Sequence, residues 1–225
     1  PVRWGVPAPG YGGAVIIDRI ETFQVAPRWL LVRIETDDGA VGWGEASLEG
    51  HAEAVQGAID GYTDLGDAVD RATSAVDTRD HLGRFVALGR AVRTWALAEP
   101  ARYALLYGTP VPGYDAPGER TTGPGIRVIV ALAQIMEDAW QAGELHPEQE
   151  DDPVALTEDL ERIRAEFSLQ APPAVHARTM LIWAALFGCV SFEVFGQYGT
   201  GTFSDPEALF EAHLLRLAGL LGLTG

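Results

Sequence analysis

Apolar and polar residues alternate with a period of two near the start of the chain and with a helical period from about residue 61 onward. Leu30, Val32 and Ile34 are interleaved with Arg33, Glu35 and Asp37, the pattern of a half-buried strand. Asp38-Gly39 supplies hairpin-turn chemistry, and Val41 and Trp43 continue on a return strand. An earlier strand over 16–25 precedes them. Residues 51–59 then read as the start of a helix. Three short strands cannot bury much on their own.

Helical patterns fill the rest. A short amphipathic helix is expected over 64–75. Asp77 and Asp80 are placed to cap a longer one, with Leu82, Phe85, Val86, Gly89, Val92 and Leu97 on its inner side and Trp95 near its end. Pro100 opens a further turn carrying Tyr103, Leu106 and Tyr107. Residues 108–117 form a stiff Pro- and Gly-rich loop. Helices are expected over 122–142 and 153–167, separated by an acidic loop at 144–152. The stretch 173–221 organises the chain. Val175, Thr179, Ile182, Trp183, Leu186 and Val190 make one helical stripe, while Phe187, Phe192, Val194 and Phe195 fall elsewhere on the wheel. Ser204-Asp-Pro-Glu207 reads as a capping box with proline at the first helical position. Phe210, Leu214, Leu217 and Leu221 then alternate four and three apart, the period of a helix–helix seam. The fold class is therefore mainly α, with a short three-stranded β-rich segment at the N-terminus. The domains are 1–59 and 60–225. A monomer core would give the same spacing, but so broad an apolar face points to a homodimer through 174–222, with Phe192, Phe195, Phe210, Leu214, Leu217 and Leu221 at the interface.

Charge and composition narrow the function. The net charge is −16 and there is no lysine among the sixteen basic residues. That argues against nucleic-acid binding by this chain alone, because phosphate contacts need clustered Lys and Arg. The single cysteine, Cys189, excludes an internal disulfide and suits a reducing cytoplasm. Residues 1–14 read as a flexible lead-in, and neither a signal-peptide core nor a membrane span is expected. The five histidines, His51, His81, His146, His176 and His213, are scattered without an HExxH or Cys/His pattern, so no metal and no cofactor is expected. No nucleophile elbow or spaced acid pair marks an enzyme. Glu193, in its apolar setting, needs a hydrogen-bond partner or an exposed edge.

Two resemblances divide the chain. Residues 17–23, Pro27-Arg28-Trp29, residues 32–39, Val41-Gly-Trp-Gly-Glu45 and Leu48-Glu-Gly50 look like the opening of the enolase superfamily, in its mandelate racemase-like, galactonate dehydratase branch. That resemblance covers about 15–59 and implies the start of a capping domain. It has His51 where such dehydratases usually carry Arg. The family's chemistry also needs a Lys-x-Lys base, Mg²⁺ ligands and a barrel of roughly 250 residues. This chain has no lysine, and helical patterns follow residue 59. A catalytically incomplete dehydratase fragment is the alternative reading.

The run from Trp95 to Tyr114, with Ala116-Pro117 and Thr122-Gly-Pro124 after it, resembles the C-terminal regulatory domain of TetR/AcrR-type regulators. The subgroup is the one named for a Trp…His-Gly signature. Trp183-x-x-Leu-Phe-Gly188 and Phe192-Glu-x-Phe-Gly196 sit where that signature falls, with Phe187 in place of the histidine. The resemblance spans about 60–223. It implies a helical effector domain that dimerises through its last two helices. Together with the aromatic pattern, it suggests a pocket for a small apolar or aromatic effector lined by Phe85, Trp95, Tyr103, Tyr107, Trp140, Trp183 and Phe187. A dimerisation module with a filled core is the bland counterpart. Such regulators begin with a helix-turn-helix domain. Here enolase-like strands are expected in its place, joined near 59–61. A natural fusion, a rearranged gene and a deliberate join all fit.

Overall fold

The computed structural model describes residues 17–25, 29–45, 52–108, 125–145 and 154–223. The expected lead-in, most of the Pro/Gly loop, the acidic loop beyond Leu145 and His51 lie outside them. The described residues form a three-stranded sheet and seven helices. The chain divides into two compact units, Pro1–Gly61 and Tyr62–Gly225.

In the first unit, β1 (Ile17–Val25), β2 (Trp29–Thr36) and β3 (Val41–Glu45) form an antiparallel meander in the order β1-β2-β3. The register sets Ile34 between Ile20 and Gly42, and Arg33 between Glu21 and Trp43. Side chains alternate across a pleated sheet, so Leu30, Val32 and Ile34 share a face. Leu30 and Val32 are buried, whereas Phe23 and Trp43 on the opposite face are exposed and in ring contact at 5.4 Å. Arg33 ties that face together, reaching Glu21 at 2.8 Å and Glu35 at 2.7 Å. The Asp38-Gly39 turn forms as expected, with Gly39 at φ +83°, a conformation glycine adopts without a Cβ clash.

The two helical pieces expected at 51–59 and 64–75 are one helix, α1 (Ala52–Ser74), which runs through Gly57, Gly61 and Gly66. Propensity alone makes glycine a weak point in a helix. Packing decides the matter at Gly66: a Cβ there would lie 2.5 Å from Nε of Arg127.

In the helical unit, α2 (His81–Ala98) is capped by Asp80, whose carboxylate accepts the Gly83 N–H at 2.7 Å. Asp77 instead accepts from the Arg79 N–H in the preceding turn. Phe85, Leu88, Gly89, Val92, Trp95 and Ala96 are buried. Leu97, expected on the inner side, is exposed. It lies 100° from Ala96 on the wheel, at the helix end, where the core side is already held by Trp95 and Ala96. α3 (Pro100–Tyr107) begins with proline at N1. α4 (Arg127–Gln141), α5 (Val154–Glu166), α6 (Pro173–Val194) and α7 (Pro206–Leu221) follow. α7 is capped by Asp205, which accepts the Ala208 N–H at 2.9 Å; the box expected on Ser204 is displaced by one residue. Pro206 holds N1, as expected. Gly222 closes the helix at φ +87°.

α2 is the hub. It packs against α3, α4, α6 and α7, while α6 also packs against α4, α5 and α7. Phe210, Leu214, Leu217 and Leu221 are all buried within this one chain. These residues, expected at an interface, form a seam where α7 meets α2 and α6. α6 is long and apolar enough to cross a membrane by length and composition. Its stripe of Val175, Thr179, Ile182, Leu186 and Val190 is buried, which makes it the core helix of the bundle.

One buried acid escaped the sequence reading. The Glu137 carboxylate of α4 accepts the backbone N–H groups of Gln170 (3.0 Å) and Ala171 (2.9 Å), and an N–H of Gln141 (2.8 Å). These bonds fix the turn that leads into α6. Beside it, buried His176 donates from Nε2 to the Ala171 carbonyl at 3.0 Å.

Candidate functional site

Tyr103 and Tyr107 lie one helical turn apart on α3; Trp183, Phe187 and Ser191 lie on successive turns of α6. The spacing of four puts each set on one helix face. Where α3 meets α6 the rings interlock. Tyr107 lies 4.6 Å from Phe187 and 5.1 Å from Tyr103, and Phe187 lies 6.0 Å from Trp183. Phe195 extends the cluster to Tyr103 at 5.9 Å, and Tyr62 of α1 meets Tyr107 edge-on at 6.0 Å. Tyr103 is fully buried, donates to the Phe187 carbonyl at 3.2 Å and shares a 2.8 Å hydrogen bond with Ser191 Oγ. Burial pushes the Tyr103 and Tyr107 phenols above their ordinary range, so both hydroxyls keep their protons at neutral pH.

Four of the seven expected pocket residues, Tyr103, Tyr107, Trp183 and Phe187, thus come together. Phe85 and Trp95 are buried in the core, and Trp140 packs against it. Tyr62 and Phe195 join the cluster without having been expected in it. The sequence signal for Phe195 was present, since it stands four residues after Ser191; Tyr62 is positioned only by tertiary packing.

Two clefts lie elsewhere. One, of about 140 Å³, opens where the end of α6, the 195–205 turn and the start of α7 meet. The other, of about 280 Å³, lies between Arg90, Arg93 and Thr94 of α2 and Glu207, Phe210 and Glu211 of α7. Both its arginines are paired: Arg90 grips Glu211 through two bonds of 2.7 Å, and Arg93 grips Glu193 of α6 at 2.8 and 2.7 Å. Glu193 has the partner its apolar setting demanded.

The outer faces of α6 and α7 carry several exposed apolar residues. Leu181, Ala184, Gly188, Phe192 and Phe195 recur three and four apart, on the side of α6 opposite its buried stripe. Leu181 is 63% exposed, Phe192 51% and Phe195 40%. On α7, Ala208, Ala212, Leu215 and Gly219 repeat in the same way opposite its internal seam, with Leu215 61% exposed. A Cβ added at Gly188 or Gly219 would meet no atom within 4 Å. Of the six residues expected at an interface, Phe192 and Phe195 are exposed and the four of α7 are buried within the chain.

Comparison with known proteins follows the same division. The family described as "Tetracyclin repressor-like, C-terminal domain" matches residues 85–217. Over 163 residues the chain is 39% identical to HTH-type transcriptional regulators of Mycobacterium tuberculosis and Mycobacterium bovis, covering 72% of this chain and 70% of each relative. A separate stretch of 43 residues is 56% identical to a D-galactonate dehydratase of Verminephrobacter eiseniae, 19% of this chain and 11% of that enzyme. The corresponding figure for the Variovorax paradoxus dehydratase is 51%. The chain spans only about a tenth of those enzymes. The helical unit carries the length and the specificity of the match, and by it the chain belongs to the family of TetR-type transcriptional regulators, through their C-terminal domain.

Proposed function

We propose that residues 60–225 are the effector-binding and dimerisation domain of a TetR-family regulator. A second copy docks on the outer faces of α6 and α7, and a small apolar or aromatic effector is received at the α3–α6 aromatic cluster. The observation that carries the dimer is the exposed stripe from Leu181 to Phe195, together with the one on α7. Small residues at its centre let a second pair of helices approach closely, and exposed aromatics at its end supply apolar area. The polar tips of Tyr103 and Tyr107 in an apolar setting suit an effector with one or two hydrogen-bonding groups.

Regulation in this reading works by population shift. An effector that parts the rings moves α3. Arg102 of that helix holds Asp64 of α1 at 2.6 Å, so α1 responds. The chain acts in the cytoplasm and catalyses nothing. It does not bind operator DNA by itself, since the described residues ahead of the bundle are strands and the net charge is −16.

Sedimentation equilibrium on this chain and on a version starting at Gly61 tests the dimer: both should associate tightly. Two monomers would sink the reading. A thermal-shift panel of single- and double-ring compounds tests the effector site, where a binder stabilises by mass action and Tyr107→Ala removes the shift.

A further inference from the structure

We infer a second small-molecule site in the cleft between the end of α6, the 195–205 turn and the start of α7, shaped for one neutral aromatic ring bearing a hydrogen-bonding group.

Its size sets the scale. About 140 Å³ is close to the ~150 Å³ of an apolar cavity that takes up benzene. Its walls are aromatic: Phe192, Tyr198, Phe203 and Phe210 all border it. Tyr198 stands edge-on to Phe192 and to Phe203, both at 5.6 Å, so three rings already form a continuous bent wall. Phe192 and Phe203 are exposed at the rim and gain by being covered. The opposite wall is backbone. Gly196, Gly199 and Gly201 take positive φ values of 67°, 82° and 74°, which curls the turn around the opening without side chains to fill it.

Polar chemistry selects the ligand. Glu193 borders the cleft, but both its oxygens are held by Arg93, so the cleft presents no free charge at that wall. A cation would have to compete with Arg93, and an anion would meet a carboxylate. His213 of α7, half-buried at the cleft, offers a ring nitrogen to a hydroxyl or amide. Cys189 lies at the α6 wall, beside the Tyr198 hydroxyl. A phenol-sized neutral compound meets these constraints. The site is independent of the α3–α6 cluster and does not require the dimer, although Phe192 borders both.

Cys189 is the only cysteine and serves as the reporter. The full chain is labelled with a thiol-reactive fluorophore in rising phenol, benzoate and benzylamine. Phenol should bind saturably with a Kd on the order of 1 mM, the range expected of so small a ligand in a half-open site. At ten times that concentration it should slow labelling about tenfold, because only the free fraction reacts. Benzoate and benzylamine should protect less. Leu209→Trp, which fills the cleft from α7, and Phe203→Ala, which removes a wall at the surface, should both lose protection while keeping the wild-type helix content. Tyr107→Ala, which empties the other cluster, should keep it. Phenol titration followed by amide chemical shifts gives the same answer without labelling. Failure of phenol to protect, equal protection in Leu209→Trp, loss of protection in Tyr107→Ala, or tighter binding of benzylamine would each overturn the site.

Discussion

Arg93 of α2 and Glu193 of α6 face each other fork to fork, with hydrogen bonds of 2.8 and 2.7 Å, and both side chains are mostly removed from water. The Arg93 guanidinium also lies 5.4 Å from the centre of the Phe210 ring. One arginine therefore joins three helices, α2, α6 and α7. Arg93→Ala leaves a mostly desolvated carboxylate behind and should cost about 2–4 kcal/mol, somewhat below the value for a completely buried pair. Glu193→Gln, which keeps the shape and one acceptor, should cost less. Urea denaturation of both and of the double variant measures the coupling; a coupling near zero would mean the pair is only a surface contact.

Gly89 leaves room for Leu214 where α2 packs against α7. A Cβ built there would lie 2.4 Å from Cδ2 of Leu214, a fully buried side chain with little room to turn away. Gly89→Val should therefore destabilise by about 1–3 kcal/mol, as overpacking does. Helix propensity alone predicts the opposite sign. A raised melting temperature would show that the two helices can part without loss.

α1 is held to the bundle by charge as well as by the buried Leu65 and Val69. Arg127 of α4 reaches Asp67 at 2.8 Å, Asp70 at 2.5 Å and the Thr63 carbonyl at 3.1 Å, over the space left by Gly66. Its buried Nε has no hydrogen-bond partner, so the clasp is made at some cost. Arg127→Ala should loosen α1 more than the rest of the bundle. Amide exchange over 62–74 should speed up by at least tenfold while the central residues of α2 and α6 slow-exchange as before. Uniform acceleration would mean α1 opens only with global unfolding.

Much of the architecture was legible in local pattern. The alternation at 30–35 and the Asp38-Gly39 turn predict the hairpin, and Pro206 marks the first turn of α7. What remained hidden depended on partners distant in sequence. Gly57, Gly61 and Gly66 look like breaks until Arg127 is seen to need the space at Gly66. Ser204 and Asp205 are both good caps, and only the local backbone selects the aspartate. The seam of Phe210, Leu214, Leu217 and Leu221 has a period that cannot tell an internal helix partner from a second chain. α6 is apolar nearly all round, so its pattern gives little direction; exposure separates Phe192 from Phe187. The cluster of Tyr62, Tyr107 and Phe187 needs three helices to meet, which no spacing within one of them reports. The cleft beside Cys189 depends on glycine conformations in a turn.

His176 gives the bundle a dependence on pH. Burial disfavours its charged form and holds its pKa below the usual histidine value, outweighing the Ala171 carbonyl and the Glu137 and Glu161 carboxylates, which favour charge; Arg164 adds to the lowering. Above the unfolded-state pKa of about 6.5 the ring is neutral in both states and contributes no pH dependence. As pH falls below that value the unfolded chain takes a proton that the folded chain resists, so stability is lost. The loss levels off once pH drops below the depressed folded-state pKa. His176→Gln removes the titrating group while keeping an N–H to offer the Ala171 carbonyl. Between pH 7.5 and pH 5.5 wild type should lose more stability than this variant, so its advantage over the variant shrinks. A gap that does not change with pH across urea titrations would show that His176 is not buried as described.

The two sides of α7 should respond differently to substitution, and that contrast tests the proposed dimer. Leu214→Ala removes buried atoms between α7 and α2 and should destabilise the chain by about 2–5 kcal/mol, by the cavity it leaves. Leu215→Glu, one residue on, places a charge on an exposed side chain and should leave a single chain's stability within about 0.5 kcal/mol. If a second copy covers that face, the same charge is buried without a partner at the contact and association weakens by at least tenfold. Phe192→Glu on α6 should act in the same direction. The measurement pairs sedimentation equilibrium with a urea titration at low concentration, where the monomer prevails. Leu215→Glu should move the first and spare the second, and Leu214→Ala should move the second in its own right. A Leu215→Glu chain that associates as wild type does would place the second copy elsewhere, and the exposed stripes of α6 and α7 would then need a different occupant.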